Sequence, residues 1–564
     1  MKRKTLVIAA VAAALVTPGV AQAVPGSGST GSMGAGWGSS GSGDNGGDTD
    51  GGDTDNGAAP ATPTVSVPGG RYEGPVDLTF DVDRGATARY TLDGSTPTAD
   101  SPAFDPRHPV RIDRDTNVTV AAFRGDKQSA PISFGYLVRT AEKPLAQLVV
   151  MSDVHIGGYE SNIRKYESFF DTIGSIFPKP DAIMSNGDMI NDNGDGKGPD
   201  HEIVAQIFQE QLARKGMTDT QVLMSFGNHD AKLDDVRAGY PQEWFPDSGG
   251  GYYESEVGGV HVFTVNTETY NGDTAQRDWL TGRLAELTAA NVTTPILVQG
   301  HRPTTGTTMD GQQASNPRLA EDLEAFPQAI FFSGHSHLNN FDDRAIHQKD
   351  FTSVNDGSMS YIEFDKGYQM ITETGLANRF EAPTAQALFV EVYADRAEIG
   401  RVNMAADRHD IYTGGQWSAS WQPPYSSAGT LSGPSWTVAL DGATPQEIKD
   451  NFRYTAAARN TVAPEFPSAT PLSTVVGPDG ALSLRIAQAR DDQMVYHYRV
   501  EIADKATGAK VVSSKVLSDF AFVPRPNYLD VPMPAAAAGE YEATVVAVDA
   551  YGNASPEVTL TFTR

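Results

Sequence analysis

Val222-Leu223-Met224-Ser225-Phe226-Gly227-Asn228-His229-Asp230 is an apolar run that stops at a glycine and then delivers three polar side chains in a row. An apolar or small run that ends in a polar ligand-type residue recurs four more times, in three of them with a glycine just before it. Leu148-Val149-Val150-Met151-Ser152 leads to Asp153-Val154-His155, and Ala182-Ile183-Met184-Ser185-Asn186-Gly187 leads to Asp188. Pro295-Ile296-Leu297-Val298-Gln299-Gly300 leads to His301, and Ala329-Ile330-Phe331-Phe332-Ser333-Gly334 leads to His335-Ser336-His337. Short apolar runs bounded by turn residues read as buried strands. In α/β sheets ligands bind outside the carboxyl ends of the strands, so five polar ends on one sheet converge on one place. Side chains two apart on an extended chain point the same way, which pairs Asp153 with His155 and His335 with His337.

Between these runs, apolar residues recur at helical spacing. Ile163, Tyr166, Phe169, Phe170, Ile173 and Phe177 form one set. Ile203, Val204, Ile207, Phe208 and Leu212 form another, with Gly216 as a stop. Trp279, Leu280, Leu284 and Leu287 form a third. Strands alternating with helices predict an α/β layered domain over residues 141–405. Aspartate, histidine and one Asn amide are N/O ligands that suit zinc, manganese or iron. Five of the chain's eleven histidines lie in the five segments, which sets these apart from His108, His201, His261, His347, His409 and His497.

The series Asp-x-His, Gly-Asp, Gly-Asn-His-Asp, Gly-His and Gly-His-x-His, from Asp153 to His337, resembles the calcineurin-like metallophosphoesterases. The resemblance implies a four-layer α/β/β/α sandwich, two central sheets flanked by helices, with two divalent metal ions at the sheet edge. Carried over by motif, one ion takes Asp153, His155 and His337 and the other takes Asn228, His301 and His335. Asp188 bridges both. Ion identity stays open among Mn, Zn and Fe. The implied activity is hydrolysis of a small phosphate mono- or diester by a hydroxide held between the ions, which lie about 3.5–4 Å apart in such centres. His229 is left off the metals. It is predicted to stabilise developing charge or protonate the leaving oxygen, with Asp230 orienting its ring. Purple acid phosphatases of this superfamily carry Tyr where this chain has Asn191, so no tyrosinate-bound ferric ion is expected.

The substrate side is less marked. Trp244, Phe245, Tyr252 and Tyr253 either line the leaving-group side or pack under a long loop. Asn191, Asp192, Asn193 and Asp195 follow Asp188 closely and are candidates for reaching substrate. Arg302, beside His301, is a candidate phosphate contact. No other Lys or Arg is expected at the site.

The rest of the chain frames this domain. Met1-Lys2-Arg3-Lys4, an apolar Leu6–Val16 and Ala21-Gln22-Ala23 read as a signal peptide over residues 1–23, cut after Ala23, for a secreted, extracellular protein. The apolar stretch is shorter than the roughly 20 residues of a membrane span. Residues 24–61 are a Gly/Ser/Asp-rich linker with too little apolar surface to fold. Residues 62–140 alternate in strand fashion. Their Tyr90-Thr91-Leu92-Asp93-Gly94-Ser95-Thr96-Pro97-Thr98 resembles the small β module at the ends of chitobiases. That implies an accessory module and leaves cell-wall or glycan contact and a plain spacer role both open. Residues 406–461 read as a connector. Residues 462–564 resemble a fibronectin type III-like sandwich by pattern. The α/β domain is thus flanked by two small all-β sandwich domains.

Composition closes off other classes. The 564 residues carry 43 Lys+Arg against 71 Asp+Glu, a net charge of -28, which argues against a basic nucleic-acid face. Cysteine is absent, so disulfides, thiol nucleophiles, Cys-ligated zinc and iron–sulfur clusters are excluded. One other reading remains: a catalytically inactive cell-surface or glycan-binding protein built on the same domain. Turnover of a generic aryl phosphate separates the two.

Overall fold

The computed structural model describes residues 58–564 apart from 158–159, 193, 248, 292, 309–315, 363–375, 378–384, 405–410, 414–415, 419–427, 460, 479 and 535–536. The leader, the linker up to residue 57 and Asn193 lie outside the described residues. No helix among the described residues is long and apolar enough to cross a membrane.

The apolar runs become strands. β1 (Ala146–Met151), β2 (Ala182–Ser185) and β3 (Gln221–Met224) pair in parallel, and β10 (Gln386–Val392), β11 (Arg396–Asn403) and β12 (Trp436–Ala439) extend that sheet antiparallel in the order β3-β2-β1-β10-β11-β12. A second six-stranded sheet holds β4 (Tyr253–Val257), β5 (Val260–Thr264), β6 (Ile296–Gly300), β7 (Ala329–Ser333), β8 (Ile346–Gln348) and β9 (Thr352–Asn355) in the order β4-β5-β6-β7-β9-β8. The five polar strand ends are therefore divided between two sheets, not carried on one. Strands buried on both faces read as unbroken apolar runs, and such runs carry no signal of which neighbour they pair with. β12 lies in the segment read as a connector, where only four residues form the strand.

Alternation along the second sheet sets the layers. Val262, Leu297, Ile330 and Phe332 join the core shared with the first sheet. Their sequence neighbours Phe263, Val298 and Phe331 face the other way, against Leu280 and Leu284 of α4 (Thr274–Ala290) and Leu319 and Leu323 of α5 (Pro317–Leu323). On the far side, α1 (Glu160–Ile176) packs beside α2 (Asp200–Lys215), burying Tyr166, Phe169, Phe170 and Ile173 on one stripe. Each such side chain contributes about 1.5–3 kcal/mol relative to exposure. The result is the four-layer α/β/β/α sandwich. α2 has Asp200 and Glu202 in its first turn, Arg214 and Lys215 in its last, and ends on Gly216 at φ 68°, the left-handed conformation that suits glycine.

Both flanks are sheet-rich. In the first, strands 70–73, 132–139, 116–124 and 87–91 form a sheet over a core containing Leu78, Val118, Val120 and Tyr136. In the second, strands 472–476, 482–487 and 528–532 form one antiparallel sheet, and 510–517, 495–504, 540–549 and 558–563 form another. The turn that carries the chitobiase-like pattern faces this second flank. Thr96 N–H donates to Arg525 O (2.9 Å), Arg525 N–H donates to Gly94 O (2.8 Å), and the Asn527 amide donates to Thr96 O (2.7 Å).

The first flank is joined to the first six-stranded sheet by Glu391 of β10. Its carboxylate accepts from Arg71 Nε (2.7 Å) and Arg139 Nε (2.6 Å), all three side chains being at most 10% exposed. Removing one partner of a buried ion pair strands the other. Glu391→Ala is expected to cost about 3–5 kcal/mol, read as a lower denaturant midpoint of the full chain. An unchanged midpoint would show that the two parts are held together elsewhere.

Candidate metal centre

The five strand ends meet across the gap between the sheets. In a first group, His337 Nε2 lies 3.0 Å from Asp153 Oδ1, and His155 Nε2 lies 3.3 Å from His337 Nε2 and 3.7 Å from Asp153 Oδ1. In a second, His301 Nε2 lies 3.1 Å from each of Asp188 Oδ2, Asn228 Oδ1 and His335 Nδ1. Asp188 Oδ2 is also 3.9 Å from His155 Nε2, which places it between the groups. All seven residues assigned to metal from the sequence are brought together.

The way they are brought together differs from the sequence reading. Asp153 and His155 are not on extended chain. Asp153 (φ 55°), His155 (φ 52°), Asp188 (φ 53°), His335 (φ 65°) and His337 (φ 49°) are all left-handed. Left-handed backbone costs a non-glycine residue about 1–3 kcal/mol and persists only where surrounding structure enforces it. Its concentration on five candidate ligands shows that the strand ends are bent to aim side chains at one point. Gly187 is needed for the same reason: at φ 86°, a Cβ there would meet the Gly227 backbone nitrogen at 2.8 Å and His301 Nδ1 at 3.0 Å.

The proton positions show what the centre fits. His337 Nδ1 faces Tyr361 O at 2.9 Å and His301 Nδ1 faces Asn186 O at 2.8 Å. A carbonyl only accepts, so each Nδ1 carries the proton and each Nε2 presents a lone pair. Those lone pairs converge on carboxylate and amide oxygens that are themselves acceptors. Buried Asp153 Oδ1 has no hydrogen-bond partner. Acceptors crowded on acceptors call for a cation between them, and the donor set suits a dinuclear centre of divalent ions. The protein's own titration reflects this crowding. Burial disfavours charge on His301, but the Asp188 carboxylate outweighs it and raises the imidazole to about 10. Burial also opposes ionisation of Asp153, yet the His337 and His155 imidazoles hold it well below the usual carboxylate range. His335 is pushed down to about 2 by burial, then by His301 and Arg302.

His229 stands beside the first group, its ring edge-on to His155 at 5.0 Å between centroids. It is half-buried and, with Asn228, lines a cavity of about 540 Å³ that also includes Asp192, Lys232 and Asp235. Burial lowers its pKa. The role read for Asp230 needs correction. Its carboxylate accepts from the backbone N–H groups of Asp188 (2.8 Å), Gly227 (2.9 Å), Met189 (2.8 Å) and Ile190 (3.3 Å), and the His229 ring is not among its partners. Four backbone donors saturate both oxygens, so Asp230 fixes the two loops that carry Asp188 and Asn228. The His229 backbone N–H completes this by donating to Asp188 Oδ1 (2.7 Å).

The other substrate-side candidates sort by burial. Trp244, Phe245 and Tyr253 pack in the core, and Tyr252 rests on Trp279. Asp192 is spent on its own loop, accepting from the backbone N–H of Asp195 (3.0 Å) and Lys197 (2.7 Å). Arg302 is at the centre, donating from Nε to Glu268 (2.7 Å) and from Nη1 to His335 Nε2 (2.7 Å). Lys232 went unnoticed although it lies two residues past Asp230. Tyr361, 4.2 Å from His337 between ring centroids, had no motif to mark it. His201, outside the five segments, donates from Nε2 to Asp230 O (3.1 Å) while Nδ1 accepts from the Tyr240 hydroxyl (2.8 Å), pinning the His229 loop to α2.

Residues 146–339 match the family model of calcineurin-like phosphoesterases, and residues 67–133 match that of the chitobiase/beta-hexosaminidase C-terminal domain. No curated protein matches the chain. Among solved structures, a purple acid phosphatase from yellow lupin (Lupinus luteus) seeds is 11% identical, over 68% of this chain and 74% of that one, with a TM-score of 0.33. A protein of Thermus thermophilus is 10% identical, over 46% of this chain and 99% of its own, with a TM-score of 0.29. At these scores the weight rests on the family match.

Asp230→Asn turns an amide donor toward backbone donors. It is expected to cost about 1–3 kcal/mol in thermal or denaturant unfolding and to weaken metal binding. Were Asp230 acting only through the His229 ring, stability would be unchanged.

Proposed function

We infer that this phosphoric ester hydrolase, whose residues 146–339 are a calcineurin-like phosphoesterase domain, acts outside the cell on small phosphate mono- or diesters. The observation that carries this is the pair of donor groups joined at Asp188, with histidine lone pairs and carboxylate oxygens aimed inward. Asp153, His155 and His337 would hold one divalent ion and Asn228, His301 and His335 the other, with Asp188 placed between the two groups. When bound, two such ions act as Lewis acids on phosphoryl oxygens and supply a water acidic enough to ionise near neutral pH. Export rests on the N-terminal leader pattern.

The chain's own residues do the rest. Tyr361 O and Asn186 O keep the protons of His337 and His301 on Nδ1, so that both Nε2 atoms stay available. Asp230 holds the Asp188 and Asn228 loops in register. His229 protonates or hydrogen-bonds the leaving oxygen from its place on the cavity wall. Lys232, on that same wall, offers the entering ester a positive charge in an otherwise acidic domain.

Chelation is expected to abolish hydrolysis of an aryl phosphate or its diester, and added manganese, zinc or iron to restore it. Absence of turnover on both esters, with metal bound, would favour the inactive binding protein. His229→Ala is expected to lower turnover on the order of 10²–10⁴-fold while metal content stays at the wild-type level. Loss of metal from that variant would move His229 into the ligand set.

A further inference from the structure

One turn serves both donor groups. Asp188 apart, Asp153 and His155 enter only the first and Asn228 and His301 only the second, but His335 and His337, two residues apart beyond the end of β7, enter different groups. The shape of residues 334–337 therefore sets the spacing of the two groups. That shape is strained. Ser336 N–H donates to Gly334 O (2.7 Å) and closes a three-residue turn about His335 at φ 65°, with His337 following at φ 49°. A γ-turn with positive φ at its centre is the rare, strained hand and needs support from its surroundings. Asp153 Oδ2 takes the His335 N–H (2.9 Å), which leaves the oxygens of the turn to be held. We propose that Asn355 holds them, as the positioning residue that keeps this turn closed and thereby fixes the separation of the two metal ions.

Strand pairing puts Asn355 where it is needed. β9 runs parallel to β7 with Asn355 opposite Ser333, so the last side chain of β9 lies beside the turn that leaves β7. Asn355 is fully buried. Its Nδ2 donates to Gly334 O (2.9 Å) and to Ser336 Oγ (2.8 Å), and its Oδ1 accepts from Gly357 N–H (3.1 Å). The amide can face only this way, because a backbone carbonyl accepts and a backbone N–H donates. Both amide hydrogens are thus spent on the turn. Aspartate at this position would lack the donors, and leucine would lack donors and acceptor alike. The chain on either side is held independently, Ser333 by the β7–β9 ladder and Asn340 by its N–H donating to Gln386 Oε1 (2.8 Å). Loss of the Asn355 amide therefore frees the turn and leaves the sheet in place.

Asn355→Leu keeps the size of the side chain and removes the amide. The test has two arms, of which the first is independent of the metal reading on which the claim about ion separation rests. In the metal-free full chain, hydrogen exchange of peptides covering residues 334–338 should rise about tenfold, as for lost hydrogen bonds of ordinary strength, with β7 unchanged. Unchanged exchange at the turn, or an equal rise along β7, would overturn the proposal. With manganese, electron paramagnetic resonance of the wild type should show two exchange-coupled ions. Asn355→Leu should bind manganese roughly 10–100-fold more weakly and lose the coupled spectrum, and Ser336→Ala, which deletes one of the two contacts, should fall between. If Asn355→Leu does not fold, Ser336→Ala carries both arms. A coupled spectrum identical to wild type in the variant would overturn the proposal. A wild type that binds fewer than two ions would strike down the dinuclear reading and the claim on ion separation with it, while the exchange result decides the holding role by itself.

Discussion

The structure depends on one electrostatic conflict. His301 Nε2 faces the oxygens of Asp188 and Asn228, and His337 Nε2 faces Asp153, with carbonyls behind the rings that forbid the other tautomer. Lone pair meets lone pair in a site largely sealed from water. Such an arrangement is stable only with positive charge inside it. Proton or metal can supply that charge, and the raised value of His301 shows how strongly the ring of acceptors seeks it. Divalent ions satisfy more of these acceptors at once than a proton can.

Everything around the centre serves to hold that conflict in place. Five candidate ligands sit on left-handed backbone. Asp230 gathers four N–H groups to lock two loops, and His201 ties its carbonyl to α2. The two sheets bring their strand ends face to face because alternate residues of the second sheet bury in opposite directions, against the first sheet and against α4 and α5. The β flanks add rigidity from outside: Glu391 joins two arginines of the first flank to β10, and the Asp93–Pro97 turn is hydrogen-bonded to residues 525–527.

Much of the centre was legible because metal ligands at strand ends leave a residue-type signature. Asp153, His155, Asp188, Asn228, His301, His335 and His337 each follow an apolar or small run. What was illegible depended on pairing. Apolar runs do not reveal which sheet they join, so the run pattern alone placed all five ends on one sheet, whereas the family resemblance implied the two that are present. Asp230 looked like a histidine partner because it is adjacent in sequence to His229, but its oxygens are claimed by backbone donors from residues 188–190 and 227. Lys232 lies two residues beyond the end of its motif, outside the pattern that marked the ligands.

The account's central claim is that seven side chains form one centre for two ions. Elemental analysis of the purified full chain, after reconstitution and removal of loosely bound metal, tests it most directly. Two equivalents of divalent metal per chain are predicted. A chain that retains none, or only one, would contradict it.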